Sequence, residues 1–331
     1  MASTELLAPA PLDESWRGYL RSAIGCVSLD ERPRRMKVFL TGASGFVGSN
    51  LLERLLRDGH PVRALVRRRG AAGGGSELGN LEIVEGDILS PGLASKVDGC
   101  EAVVNLVGII YESRNQTFEA IHHLGTKNLV AAAREVGVRR FVQMSALGAR
   151  PNNATTYHRS KFAAEQEVRS SRIPWVILRP SLIFGPGSAF LQQMIDVARR
   201  VPLVRPVAGT GEYRFRPIHV KDVVECFAQS LSNPEATEKT IDLVGAEEVT
   251  LNQITDEIAS CLNIRKTPVH VPMPLMRLAA AAFSIVPVKP PVTSVQLQML
   301  EEGSTADPAP MKRIFRIEPT GFREGLKHQL D

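Results

Sequence analysis

The chain has 331 residues, a formal net charge of +5, 44% hydrophobic residues and 23% charged ones. That balance is the ordinary one for a globular protein, with length for one large or two modest domains and a sizeable core. It argues against nucleic-acid binding, because no long Lys/Arg run with interleaved aromatics occurs, and the mild positive charge suits an anionic cofactor or an acidic surface.

Residues 1–35 carry Glu5, Asp13, Glu14, Asp30 and Glu31 and lack an apolar h-region, so they resemble neither a secretory signal nor a transit peptide. They read as a flexible extension or an over-extended start, with a docking arm built on Trp16 and Tyr19 as the alternative. Cys26, Cys100, Cys226 and Cys261 show no C-x-x-C pairing. They read as reduced, small apolar residues of an intracellular protein, and no metal site is expected.

The first predicted strand, Met36–Thr41, runs directly into Gly42-Ala43-Ser44-Gly45-Phe46-Val47-Gly48, a G-x-x-G-x-x-G turn. Gly42 allows a tight turn, Gly45 lets backbone approach a phosphate, and Gly48 lets the following helix pack closely against the sheet. The N–H groups at that helix's start would face an anion. Gly42, Ser44, Gly45, Phe46, Val47 and Gly48 are therefore expected to hold a dinucleotide pyrophosphate.

The next helix keeps Val47, Leu51, Leu52, Leu55 and Leu56 on one face and ends at Asp58-Gly59. Strands are predicted at Pro61–Val66, Leu81–Val84, Ala102–Val107, Arg140–Met144 and Trp175–Leu178, with helices near Phe118–Val136 and Tyr157–Ser170. A loop with Gly70, Gly73, Gly74 and Gly75 separates the second and third strands. Such alternation means an α/β fold, a doubly wound parallel sheet of the Rossmann type with right-handed crossovers and helices on both faces. After Arg179-Pro180 the prolines and glycines multiply, which suggests a smaller, irregular lobe over residues 181–331, with 216–231 returning to the first domain at 36–180. The apolar run Leu275–Val286 is too short to span a membrane. It reads as a buried or half-buried helix, with membrane-surface or partner docking as the sharper alternative.

Tyr157 and Lys161 lie four residues apart, so on a helix both point into one cleft. A neighbouring ammonium is expected to lower the phenol's pKa towards acid/base use. His122, His123 and His219 lack metal-ligand spacing and read as structural histidines.

Together the glycine turn and the Tyr–Lys pair resemble the short-chain dehydrogenase/reductase superfamily, in its extended and atypical branches. Further matches are Gly86-Asp87-Ile88, Asn105 through Gly108, Leu178 through Gly187, and Arg216 through Val223. Ser145-Ala146-Leu147-Gly148-Ala149, the short run to Tyr157 and the Pro-rich C-terminal third are most similar to the atypical group that contains the nucleotide-binding accessory subunit of respiratory complex I. The resemblance implies Tyr157 as acid/base, Lys161 as its partner and a ribose contact, and Ser145 as holder of a substrate carbonyl. It implies that Asp87 and Ile88 contact adenine, that Asn105 and Gly108 lie under the ribose and nicotinamide, and that Pro180 and Ile183 join the cofactor site. Asn105 reads equally as a strand-end turn residue. Extended members often carry a second small hydroxyl residue after Ser145, where this chain has Ala146.

An acidic residue ending the second strand would bind the NAD ribose, but Val66 is followed by Arg67-Arg68-Arg69. Arg67 or Arg68 suits a 2′-phosphate, so NADP(H) is favoured over NAD(H). Two functional readings follow. One is a cytoplasmic NAD(P)(H)-dependent oxidoreductase or epimerase acting on a small-molecule carbonyl or hydroxyl. The other is a non-catalytic NADP(H)-binding protein that docks on a membrane redox complex, peripheral to the inner membrane.

Overall fold

The computed structural model describes residues 35–67, 79–113, 115–285 and 292–330. The expectations for residues 1–34, for Arg68 and for the glycine-rich loop at 70–75 lie outside these.

Every residue of β1 (Val38–Thr41) and β4 (Ala102–Asn105) is buried, as a run such as Val38-Phe39-Leu40 demands. Side chains alternate between the two faces of a strand. Val38, Leu40 and Val104 therefore enter one core, while Phe39 and Val103 enter another. With β2 (Val62–Val66), β3 (Leu81–Glu85), β5 (Arg140–Met144) and β6 (Trp175–Pro180), these strands pair in parallel throughout. A further parallel strand, β11 (Lys239–Leu243), adds to β6 and gives the order β11-β6-β5-β4-β1-β2-β3. Chain order reverses between β1 and β4, which opens a crevice at their C-terminal ends.

One face is covered by α1 (Phe46–Arg57), α6 (Val220–Gln229) and α10 (Ala309–Phe315), which contribute Leu51, Leu55, Val223, Phe227, Met311 and Phe315 to a common core. The other face carries α2 (Leu93–Val97), α3 (Gly125–Glu135) and α4 (Thr156–Arg169), with Leu93, Leu129, Ala133 and Val168 packed inward. Thus β11 and α10, which sequence reading left in the C-terminal lobe, lie with the main sheet. Their short apolar runs give a periodicity signal too weak to reveal this.

Two boundaries differ from expectation for physical reasons. β4 ends at Asn105 instead of Val107, because the Asn105 side chain turns back to bond neighbouring elements. The helix predicted from Phe118 begins as a π-helical turn, Glu119–Leu124, before α3. There a Cβ on Gly125 would lie 2.3 Å from Ile88 Cδ1, so any side chain at 125 requires Ile88 to move.

The remaining strands form small pairs: β7 (Ile183–Phe184) with β10 (Ile218–His219), β8 (Val204–Ala208) with β13 (Thr267–Val271), and β9 (Arg214–Phe215) with β12 (Val249–Thr250). A third core joins them to α5 (Ala189–Arg200), α7 (Leu251–Cys261) and α11 (Phe322–Leu330) through Leu191, Val207, Ile254, Ile258 and Leu326. α8 (Met273–Ile285) covers most of the apolar 275–286 run and is half-buried. Met273 and Ala280 pack inward, while Leu275 and Leu278 face solvent at 56% and 68% exposure. No helix of the described residues is long and apolar enough to cross a membrane. α9 (Ser294–Glu302) follows and lies over the crevice.

Candidate functional site

The glycine turn is shaped by contacts that exclude side chains. Gly42 has φ +74°, and a Cβ there would meet the Leu106 carbonyl carbon at 3.0 Å. A Cβ on Gly48 would lie 2.0 Å from the Gly42 oxygen, so the α1 backbone presses directly on the turn. Ser44 and Gly45 are exposed at the lip. Gly45 is the N-cap of α1, no side chain caps it, and the first turn holds no acid. The bare N–H groups and the helix dipole favour a bound anion. This cradle, which a Cβ would fill, fits a dinucleotide pyrophosphate. At Gly187, with φ +91°, a Cβ would stand 3.4 Å from Phe46 Cδ2, so the loop after β7 passes near that ring.

On the other side of the crevice, α4 sets Tyr157 and Lys161 one turn apart, both buried. Thr155 caps the helix by accepting the His158 N–H. The Lys161 ammonium lies against the backbone beyond β4, so a Cβ on Gly108 would stand 2.8 Å from Nζ. It donates to the Met144 carbonyl at 3.4 Å. Burial pushes Lys161 down to about 8, opposed by the Glu165 carboxylate.

Tyr157 differs from expectation. Burial pushes its phenol up to about 12, so desolvation outweighs any effect of the nearby ammonium. Its ring meets Phe118, His122 and His158 edge-on, with centroids 5.2–5.6 Å away. Phe118, Ala146, Ile109, Val295 and Met299 complete an apolar cluster around it. At neutral pH this phenol is protonated and suited to donate a proton.

Ser145 also departs from its expected part. Its hydroxyl donates to Glu165 Oε1 at 2.6 Å. Glu165 is wholly buried and takes two bonds of 2.7 Å from Arg179 and one of 2.8 Å from Arg169. A hydroxyl whose proton is committed to a carboxylate cannot donate it to a substrate carbonyl at the same time.

Several expected cofactor contacts serve the scaffold. Asn105, fully buried, accepts from Thr41 Oγ1 at 2.7 Å and donates to Gln143 Oε1 at 2.9 Å and Thr126 Oγ1 at 3.1 Å. That network ties β1, β4, β5 and α3 together, which matches the strand-end reading. Ile88 is buried and packed in the core against Gly125. Asp87 is half-buried and accepts the Leu89 N–H at 2.8 Å in a local turn. Arg67 is exposed at the end of β2. Pro180 is buried at the end of β6, and Ile183 is half-buried on β7, packed on the same core as Phe46.

Sequence reading missed three contributors. His122, taken as structural, faces Tyr157 from the π-helical turn. Its Nε2 accepts the Ile109 N–H at 3.0 Å, so Nδ1 carries the proton and donates to Ser160 Oγ at 2.8 Å. Burial first, and the Lys161 cation second, push His122 down to about 2, so it stays neutral. Glu165 had a readable signal, standing four residues after Lys161 on the same helical face. α9 had none. Its Glu302 holds it over the cleft through Arg150 at 2.6 Å, Asn153 Nδ2 at 2.7 Å and His158 at 3.3 Å. A separate cleft of about 460 Å³ opens at the opposite end of the sheet, but its Arg54 is paired with Asp58 and Glu225 and its Arg316 with Glu235.

Comparison with known proteins gives a consistent picture. The pattern of the NAD dependent epimerase/dehydratase family matches residues 38–244. The chain is similar to a ceramide reductase of Caulobacter vibrioides, 28% identical over 300 residues, 89% of this chain and 93% of that protein. It is also similar to the mitochondrial 40 kDa subunit of NADH-ubiquinone oxidoreductase of Neurospora crassa, 25% identical over 295 residues, 87% of this chain and 77% of the subunit. Among solved structures, UDP-glucuronic acid 4-epimerase from Bacillus cereus in complex with NAD superposes with a TM-score of 0.70 at 17% identity, covering 89% of this chain and 98% of that one.

Proposed function

Because the chain belongs to the NAD-dependent epimerase/dehydratase family, we propose that it is an oxidoreductase that uses NADP(H) to interconvert a carbonyl and its hydroxyl at Tyr157. The observation that carries this reading is the Tyr157–Lys161 pair, buried on one face of α4 beside the Gly108 backbone. A nicotinamide bound in the crevice supplies the hydride. Tyr157, protonated at neutral pH, gives its proton to the carbonyl oxygen as negative charge develops there. The Lys161 ammonium stabilises the tyrosinate left behind, and neutral His122 adds no competing charge. The apolar walls exclude water and strengthen these interactions. In the oxidative direction Tyr157 takes the proton back.

The choice of NADP(H) rests on Arg67, exposed where β2 ends, with arginines and no acid directly after Val66. Arg67→Ala should weaken NADPH binding about tenfold and leave NADH binding unchanged, since one charge-assisted hydrogen bond is lost. Equal NADPH affinity in wild type and variant removes the assignment. The reductase role is tested by following NADPH oxidation with carbonyl substrates, which Tyr157→Phe should abolish while the nucleotide remains bound.

The engagement of Ser145 by Glu165 favours a second reading, a protein that holds NADP(H) tightly as a structural ligand and associates with a membrane redox complex. The Neurospora relative, itself a subunit of such a complex by name, supports it. Bound nucleotide stabilises a native state by mass action without turnover. A nucleotide that co-purifies, raises the melting temperature and stays inert towards carbonyls and quinones would select this reading.

A further inference from the structure

We propose that the substrate presents its carbonyl or hydroxyl at the end of an apolar chain, and that Val295 and Met299 of α9 form one wall of the slot that holds it. The inference rests on the oxidoreductase reading and names its substrate class. The side chains of Ile109, Phe118, Ala146, Val295 and Met299 pack in one cluster with Tyr157, and the five offer no hydrogen-bonding group stronger than the weakly accepting Met299 thioether.

The polar neighbours are turned elsewhere. Both His122 nitrogens are occupied by Ile109 and Ser160. His158 Nδ1 meets Thr155 Oγ1 at 2.8 Å, with Glu302 3.3 Å away. Ser145 is held by Glu165. A polar ligand such as a nucleotide sugar needs fixed donors and acceptors along its length. Among the described residues packed on Tyr157, those groups are already satisfied inside the protein. An alkyl, acyl or prenyl chain needs only apolar area and one polar contact, which is what Tyr157 and this cluster offer.

The apolar surface continues outward. Ile110 and Tyr111, next after Ile109 on the loop beyond β4, are 48% and 39% exposed. A chain longer than the slot would run over them. Glu302, paired with Arg150 and Asn153, ties α9 to the segment before α4, and Val295 and Met299 of α9 pack in the same cluster as Phe118.

The test uses the full chain, with and without NADP+, and a series of straight-chain 2-alkanols from four to twelve carbons. Binding is measured by calorimetry, independently of turnover. Dissociation constants should fall about fourfold per added methylene, the factor expected for one buried CH2, until the slot is filled. Met299→Gln, close in size but polar, should flatten that dependence without changing NADP+ affinity. Should that variant not fold, the same loss of slope is expected for Val295→Thr, which keeps the shape and puts a hydroxyl in the wall. Affinity independent of chain length in the wild type overturns the proposal. So does an unchanged slope in a folded variant. Failure to bind NADP+ or to oxidise NADPH strikes the oxidoreductase reading instead, and the alkanol series still decides the slot.

Discussion

The two walls of the crevice are built by different means. The glycine turn is a backbone device: one contiguous stretch, shaped by the absence of side chains, offers N–H groups to an anion. The Tyr157 wall is a side-chain device, assembled from the β4 loop, the π-helical turn, α4 and α9, segments nearly 200 residues apart in the chain. A backbone device fails at once when a side chain intrudes. A side-chain device degrades by parts, and its parts can be separated by mutation.

The comparison can be broken most severely through Glu165. Glu165→Ala leaves Arg169 and Arg179 without their shared carboxylate and frees Ser145, and should cost about 3–5 kcal/mol of stability, read from denaturant unfolding. Nucleotide affinity per folded molecule should be unchanged. If affinity collapses with intact folding, the two walls are not separable in the way described.

Gly48→Ala tests the opposite wall. The added methyl meets the Gly42 oxygen, so the turn must shift, at about 1–3 kcal/mol in stability. NADPH binding should be lost in calorimetry even where the protein is folded. Retained affinity would mean that the close approach of α1 to the turn does not shape the site.

Acid sharpens the side-chain wall. His122 is held at about 2 in the fold against an ordinary 6.5, so its stabilising contribution is full above pH 6.5 and is lost as pH falls below that value. The slope is at most about 1.4 kcal/mol per pH unit for this one group. Lys161 runs in the other window: held at about 8 against 10.5, it binds fewer protons folded than unfolded, so stability rises with pH between about 8 and 10.5. Melting temperatures measured from pH 4 to 10 check both. His122→Gln should reduce the acid limb, part of which His158, likewise pushed down by burial, retains, and leave the alkaline limb unchanged.

The smallest effect on turnover is expected at Ser145. Ser145→Ala should lower stability by about 1.5–3 kcal/mol, through one hydrogen bond to a charged group, and change kcat for carbonyl reduction less than threefold. A loss of a hundredfold or more would put the hydroxyl back on the substrate.

How much of this was readable follows from the same contrast. Gly42, Gly45 and Gly48 were legible because their roles are local, set by turn geometry and helix approach within seven residues. The face shared by Tyr157 and Lys161 was legible from helical spacing, yet the direction of the Tyr157 shift was not, because it depends on burial by Phe118 and α9. Asn105 and Ile88 occupy expected positions but turn inward, one to Thr41, Gln143 and Thr126, the other to Gly125. Nothing in the residue types separates a contact with a ligand from a contact with the next helix.

The sequence by itself determined the α/β alternation, the glycine turn and the Tyr–Lys face, since each arises from residues that are neighbours along the chain. Only the tertiary structure decided that β11 joins the main sheet, that Ser145 serves Glu165, and that α9 closes over Tyr157. Those outcomes depend on which distant surfaces meet, and burial and hydrogen-bond satisfaction are properties of the meeting, not of the residues alone.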